Sequence, residues 1–599
     1  MERKQRQAQE EIERKHRAMA REINEKQEIS SFFANDTIDE SNENQNDDNL
    51  YEEKRMHCRE KNGCSITIPH DILKNENLTA LMVRLDISPA KTSQLLQVLI
   101  TECGGNPSHV DLSYSSSRRF REKKVQEIAL DIKENMKFNH PLGLHWDGKI
   151  MADNLDNITK IERLPVLVSS SDGTEKLLGV AKLPVGVETG TAGQHIAEAA
   201  VDYLKEWDLL PFVATMHFDT TNTNTGKHTG ACIKLQDIID CPLLWVACRK
   251  HIGEVHVGRA FDILKVEVSV SPEILIFNRF KIDFSKIDHR KSPYSLFDID
   301  NIKPENQKFY TTQKDIVIST LKEVQRKGAY LRNDYEELIN LVYLYLGEND
   351  KYTIHKPGAT HKARWLMKIL HSIKIVILQN NLPSSTLRKG QLELIHRFVL
   401  FIVFCYVPWW FTCPIGTAAA RNDLAFYNIL LEYEKIDEDI SKAVQASFKL
   451  HQWYIIPETI PLALFDEGLD SREKENLAKR ILSYPQKVST TRDGNGYGKP
   501  RFPKKVPTNV VDAVYSSDVW MFFKILKIPT DFLNTPFTMW KNNQSYLKGL
   551  QIAKHLKVCN DLAERAIKLT QDYCHQTNRE DKLQDIVQVV EKSRSEISD

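Results

Sequence analysis

The order of strand and helix signals between residues 139 and 270 constrains this chain more than any other feature. Pro141–Trp146 reads as a short strand. Leu164–Ser169 and Leu177–Leu183 flank Asp172-Gly173, a tight-turn dipeptide, so they pair as a hairpin. The helix Gly193–Trp207 sets Ile196, Ala200, Leu204 and Trp207 on one stripe. Then come strand Phe212–Phe218, helix Gly226–Ile239, strand Leu243–Ala247 and helix Arg249–Leu264. An antiparallel start followed by strands alternating with helices implies a mixed sheet with helices on both faces.

From about Ser271 to Lys541 strand signals mostly vanish. Long helical patterns replace them: Thr311–Arg326, Tyr335–Leu346, Thr360–Gln379, Gln391–Tyr406, Ala418–Glu434, Glu438–Tyr454 and Ser471–Ser483. Tyr546–Tyr573 reads as one last long helix, and the polar tail beyond it as frayed. The strand order is the RNase H-like order. The expected fold is therefore an α/β RNase H-like core, a mixed five-stranded sheet with flanking helices, interrupted by a large all-α insertion. Six segments follow: a charged, disordered or helical 1–60; a small helical, DNA-binding 61–138; the first part of the core, 139–270; the insertion, 271–541; a helix completing the core, 542–576; and the tail, 577–599. The acidic, Asn-rich stretch Asn35–Glu53 reads as disorder.

Lys+Arg and Asp+Glu are both 81, so net charge neither attracts nor repels nucleic acid and local patches must decide. No secretory signal pattern opens the chain. The longest apolar run, Phe398–Phe411, is too short to span a bilayer and carries Pro408, so a buried helix is expected and no membrane partner. Ten cysteines without framework spacing read as reduced thiols of a cytosolic or nuclear protein.

Three acids stand where chemistry is expected. Asp147 lies in Leu-His-Trp-Asp-Gly, Asp219 ends the run Phe212–Phe218, and Glu564 lies in the late helical pattern. In this strand order the C-terminal ends of the first strand and of the strand after the first helix meet, which brings Asp147 beside Asp219. Close carboxylates repel unless a cation neutralises them. Oxygen ligands with open positions favour Mg²⁺ or Mn²⁺, and a third carboxylate completes a two-metal site for in-line displacement. Asp147-Gly148 also fits a plain turn, Asp219 a helix cap, and Glu564 a solvated face. Asp423 and Glu432 are rivals for the third position.

Several segments together resemble the catalytic core of hAT-like transposases: Gln194-His195-Ile196-Ala197-Glu198; Trp207 with Asp219, Asn222 and Asn224; Val246-Ala247-Cys248-Arg249-Lys250-His251-Ile252; and Ala563-Glu564-Arg565-Ala566. The resemblance implies a DDE site of Asp147, Asp219 and Glu564 that cuts and rejoins DNA with Mg²⁺ or Mn²⁺, in a nuclear protein that forms a homo-oligomer on transposon ends and target. Departures are the first-acid segment Trp-Asp-Gly-Lys-Ile-Met, the lack of an Asn directly after Asp219, and no zinc finger among Cys58, Cys64 and His70. The alternatives are a catalytically inactive nuclear DNA-binding or scaffold descendant, and an RNase H-like nuclease without strand transfer. Cys248 and His251, one helical turn apart, are expected to be structural.

For DNA contact, His361, Arg364, Lys368 and His371, with Lys374 flanking, recur at helical spacing as a basic stripe beside Trp365, Ile369 and Ile373. Lys487–Lys505 reads as a mobile basic loop carrying Lys487, Arg492, Lys499, Arg501, Lys504 and Lys505. Arg118, Arg119, Arg121, Lys123 and Lys124 make the N-terminal helices locally basic. Trp409 or Trp410 could stack on an unpaired base, against a buried aromatic as the plainer reading.

Overall fold

A computed structural model describes residues 68–138, 140–152, 160–186, 191–267, 273–287, 294–328, 332–349, 351–360, 365–486, 498–577 and 579–596, without side chains at 151, 152, 561–565, 580, 595 and 596. The chain divides into two compact units, Met1–Pro69 and His70–Asp599, and nearly all described residues belong to the second. The expectations for residues 1–60 lie outside the described residues.

Three helices open the second unit: α1 (Glu76–Arg84), α2 (Pro89–Glu102) and α3 (Tyr114–Asn135). Ser88 caps α2 by accepting from Lys91 N, with Pro89 at the first helical position, as the Ser-Pro pair predicts. The core follows: β1 (Leu142–Trp146), β2 (Lys149–Ala152), β3 (Lys160–Ser170), β4 (Glu175–Leu183), α4 (Ala192–Glu206), β5 (Val213–Phe218), α5 (Asn222–Thr225), α6 (Ala231–Ile239), β6 (Leu244–Ala247) and α7 (Arg249–Ile263).

These strands make one six-stranded mixed sheet. Strands β1 and β2 run along the same edge of β3 in an unbroken antiparallel register, Trp146 opposite Val166 and Lys149 opposite Arg163. They are two halves of one strand interrupted at Asp147-Gly148. Strand β4 covers the other edge of β3, as the Asp172-Gly173 hairpin requires, with Gly173 at φ +91°. Strands β5 and β6 lie parallel to β1 on its far side.

The helical layer contains α8 (Leu275–Asp283), α9 (Pro304–Arg326), α10 (Asn333–Tyr345), α11 (Trp365–Leu378), α12 (Gln391–Phe401), α13 (Val407–Thr412), α14 (Ala419–Tyr433), α15 (Glu438–Lys449), α16 (Ser471–Leu482), α17 (Val519–Ile525) and α18 (Phe537–Trp540). A π-turn, Ile402–Tyr406, fuses α12 and α13 into a helix running from Gln391 to Thr412. It stands just before Pro408, whose missing N–H and ring disturb the regular helix. The apolar run is thus longer than expected: by length and composition this helix could cross a bilayer, though 72% of its apolar window is buried. It meets α7 at Gly253, where a Cβ would approach Tyr406 Oη to 2.8 Å and Trp409 to 2.9 Å.

The expected single helix over Tyr546–Tyr573 is two: α19 (Gln544–His555) and α20 (Asp561–Tyr573). No Gly or Pro marks the break, and Lys557, Val558 and Asn560 make tertiary hydrogen bonds there. The expected frayed tail is helix α21 (Glu580–Glu596). It covers the open edge of β4: Gln584 exchanges 2.9 Å bonds with Val180 N and O, and Gln588 Nε2 donates to Leu177 O at 2.8 Å. Glu591 accepts from Leu177 N at 3.3 Å. Residues 584, 588 and 591 lie on one helix face, so polar side chains satisfy an edge that would otherwise invite another strand.

The sheet therefore separates two cores. Leu144, Trp146, Met216 and Phe218 feed the large core shared with the helical layer. Leu167, Leu177 and Val180 pack with Val83, Ile128, Tyr573 and Val587 of α1, α3, α20 and α21.

Candidate functional site

The parallel register of β1 and β5 pairs Leu144 with Met216 and His145 with His217. Two residues further on, the same register sets Asp147 beside Asp219. Neighbouring strands stand about 4.8 Å apart, so the two acids occupy adjacent strand ends. Both are half-buried.

Asp219 is held firmly. Its Oδ1 accepts from Thr221 N (3.1 Å), Thr221 Oγ1 (2.6 Å) and Asn224 Nδ2 (2.6 Å). Asn224 Oδ1 in turn accepts from Trp146 Nε1 at 2.9 Å, tying Asp219 to the residue before Asp147. The short α5 exists to present Asn224 inward; that side chain is buried. Three donors on one oxygen leave the other as the available acceptor.

Glu162 on β3 is a third carboxylate at this end that the sequence pattern does not single out. Its Oε1 occupies the space that a Cβ at position 148 would take, so Gly148 makes its room. Burial, then the nearby Asp219 charge, push its carboxyl up from the ordinary range. The missed signal is strand length: β3 begins at Lys160, and the sequence pattern places its start at Leu164.

Beneath the acids, on the sheet itself, His145 and His217 stack with ring centroids 4.0 Å apart. His145 Nε2 bonds Ser169 Oγ at 2.7 Å and His217 Nε2 bonds Thr215 Oγ1 at 2.6 Å. Burial holds both rings neutral, His217 down to about 3.

Cys248 is buried and its sulfur accepts the Asn560 N–H at 3.3 Å, in keeping with a structural residue. His251, one turn on, is pushed down by burial and pulled back up by Asp219, so it faces the acidic end. Glu564 lies in the first turns of α20, one helical turn beyond Asn560; its side chain lies outside the described residues. Among the described residues, no group of three His, Cys, Asp or Glu side chains forms a ready-made metal site.

Of the rivals for the third acid, Asp423 is otherwise engaged. Asp423 is 4% exposed and is bonded by Arg249 Nη2 and by Trp409 Nε1, so it is a core ion pair. Glu432 is exposed on α14, more than two turns beyond Asp423.

The basic stripe is not a surface. Lys368, His371 and Lys374 are buried. Lys374 Nζ pairs with Glu337 at 2.6 Å, Lys368 lies 5.5 Å over the Phe261 ring, and burial drives His371 down to about 3. His361 and Arg364 lie outside the described residues. The helical spacing is real, but α11 is enclosed by other helices on all sides. Trp409 and Trp410 are likewise 5% and 2% exposed, which leaves no ring face for a base. Arg118 pairs with Glu122 and Lys124 with Glu127, so the N-terminal basic run is largely compensated.

The basic loop differs. Arg501, Lys504 and Lys505 are exposed, while Lys487 and Arg492 lie outside the described residues. Lys499 Nζ stands 5.4 Å over the Trp453 ring. Trp453 stacks on Trp245 and meets Phe218 edge-on, each at 5.9 Å. Phe218 directly precedes Asp219, so an aromatic stack joins the loop to the acidic end.

No family model matches this chain, and no curated protein sequence does either.

Proposed function

We propose that the chain is a metal-dependent DNA-processing enzyme with an RNase H-like core, a DDE-type transposase of the hAT-like kind. The observation that carries this reading is the β1–β5 register, which sets Asp147 and Asp219 side by side at adjacent parallel strand ends. The order β4-β3-β1-β5-β6, with three antiparallel strands followed by two parallel to the first, supports the fold reading. The donor set suits Mg²⁺ or Mn²⁺: carboxylate oxygens, one of them unengaged on Asp219, with Glu564 one turn from a residue tied to β1. Bound there, such ions would activate a water or 3′-hydroxyl and stabilise the leaving oxygen. The exposed Arg501, Lys504 and Lys505 would supply phosphate contacts for double-stranded DNA. A homo-oligomer and a nuclear location complete the proposal.

The test is Mn²⁺-dependent nicking and joining of DNA carrying candidate ends, with Asp219→Asn as control. Cleavage and joining that vanish in the variant support the reading. Cleavage without joining makes the chain a nuclease. Equal activity in the variant, or Mn²⁺ binding unchanged by it, removes the site.

A further inference from the structure

Between α19 and α20 the chain makes a clasp across three core elements. His217 Nδ1 on β5 bonds the Lys557 carbonyl. Arg249 N, at the start of α7, donates to Val558 O at 2.8 Å. Cys559 Sγ lies 3.8 Å from Cys413 Sγ at the end of α13. Asn560 does most: its N–H donates to Cys248 Sγ at 3.3 Å and its Nδ2 donates to Trp146 O at 2.7 Å. A carbonyl only accepts, so the amide NH₂ must face Trp146, and Oδ1 faces the other way. That side chain lies against the His145 ring, and His145 Nδ1 and Asn560 Oδ1 are buried atoms otherwise without partners. Asn560 is 8% exposed and does not cap α20 through its side chain.

We infer that Asn560 is a positioning residue for the acidic site: it fixes the backbone that turns into Asp147 and seats the helix that carries Glu564 against the same strand end. This rests on the proposed metal site. The chemistry follows from rigidity. A two-ion site tolerates little movement among its carboxylates, and outer residues that orient ligands are worth 10–100-fold in metal affinity. The side-chain amide of Asn560 on Trp146 O and its main-chain N–H on Cys248 Sγ together link β1, α7 and α20 where Asp147 and the helix of Glu564 come together. The clasp lies where a helical sequence pattern breaks, at Leu556–Asn560, with no Gly or Pro.

The experiment compares Asn560→Asp, Asn560→Ala and Asp219→Asn in the full chain. It measures Mn²⁺ affinity by calorimetry, thermal unfolding without metal, and kcat and KM for nicking. Asp at 560 keeps the volume but cannot donate to Trp146 O. The expected result is Mn²⁺ affinity lowered ~10–100-fold in both Asn560 variants, with kcat reduced, KM for DNA unchanged and cooperative unfolding retained. Wild-type Mn²⁺ affinity in Asn560→Asp, while Asp219→Asn loses binding, overturns this inference and leaves the site standing. Loss of cooperative unfolding in both Asn560 variants also overturns it, because Asn560 is then a residue of the fold. Unchanged binding in Asp219→Asn removes the site itself.

Discussion

Asp219 and Asp423 are the same residue in two regions of one molecule, and their surroundings give them opposite employment. At the strand ends, Asp219 is oriented by neutral donors, Thr221 and Asn224, that fix one oxygen and leave its charge uncompensated. In the helical layer, Asp423 is buried against the Arg249 guanidinium, which neutralises that charge internally. The same contrast separates Lys504 and Lys505, exposed in the loop, from Lys368 and Lys374, enclosed beside Phe261 and Glu337. On the proposed reading, a charge is left for function where the fold orients it without neutralising it.

The sharpest way to break this comparison is to neutralise each acid. Asp219→Asn keeps an Oδ1 acceptor for its three donors, so the fold should persist. Loss of a direct ligand should cost more than the ~100-fold of a supporting residue, read as Mn²⁺-dependent nicking rate and Mn²⁺ affinity. Asp423→Ala should do the reverse. It leaves Arg249 buried and unpaired, which costs about 3–5 kcal/mol of stability, measured by denaturant unfolding, with Mn²⁺ affinity of the folded fraction unchanged. If Asp423→Ala loses metal binding while remaining as stable as wild type, the two acids have been assigned the wrong way round.

The two regions also differ in how much of each was legible in the sequence. Strand and helix alternation set out five of the six strands of the mixed sheet and missed β2, because period and turn chemistry are local: Asp172-Gly173 makes its hairpin, and Phe212–Phe218 makes β5 within a residue. The side-by-side acids follow from strand order alone. What escaped was tertiary. The π-turn lengthens an apolar helix, Gln584 and Gln588 turn a polar tail into an edge cover, and Asn560 makes tertiary hydrogen bonds where a helical pattern breaks. Lys368 and His371 sit at true helical spacing, yet spacing cannot say whether another helix covers that face. Glu162 escaped because a charged residue near a strand start looks like a loop residue until Gly148 is seen to make room for it.

A smaller effect tests the exposed side of the contrast. Replacing Arg501, Lys504 and Lys505 with Ala should weaken DNA binding uniformly across sequences. The slope of log affinity against log salt should become shallower by roughly one for each phosphate that is no longer neutralised. The same replacement at Lys368 should leave that slope untouched, since its ammonium lies over Phe261 inside the fold. A titration across salt concentrations distinguishes the two, and an unchanged slope in the triple variant would remove the loop from the DNA surface.

The mildest test concerns an acid that the helical layer holds without a cation partner. Glu458 has an Oε2 with no hydrogen-bond partner, and burial pushes its carboxyl up to about 7, with Asp518 adding to the rise and Arg501 opposing it. The folded state therefore keeps a proton that the unfolded chain releases near the ordinary carboxyl value. Stability is fully present below that value and is lost as pH rises towards 7, because the unfolded state then binds fewer protons than the folded one. Glu458→Gln cannot ionise and removes this slope. The variant should match wild type near pH 4.5 and exceed it at pH 8 by at most about 3 kcal/mol, or ~3 °C in melting temperature for a chain of this length. Parallel melting curves across that range would mean that Glu458 ionises freely. The helical layer would then tolerate an open carboxylate as the strand ends do, and the distinction between the two regions would narrow to Asp423 alone.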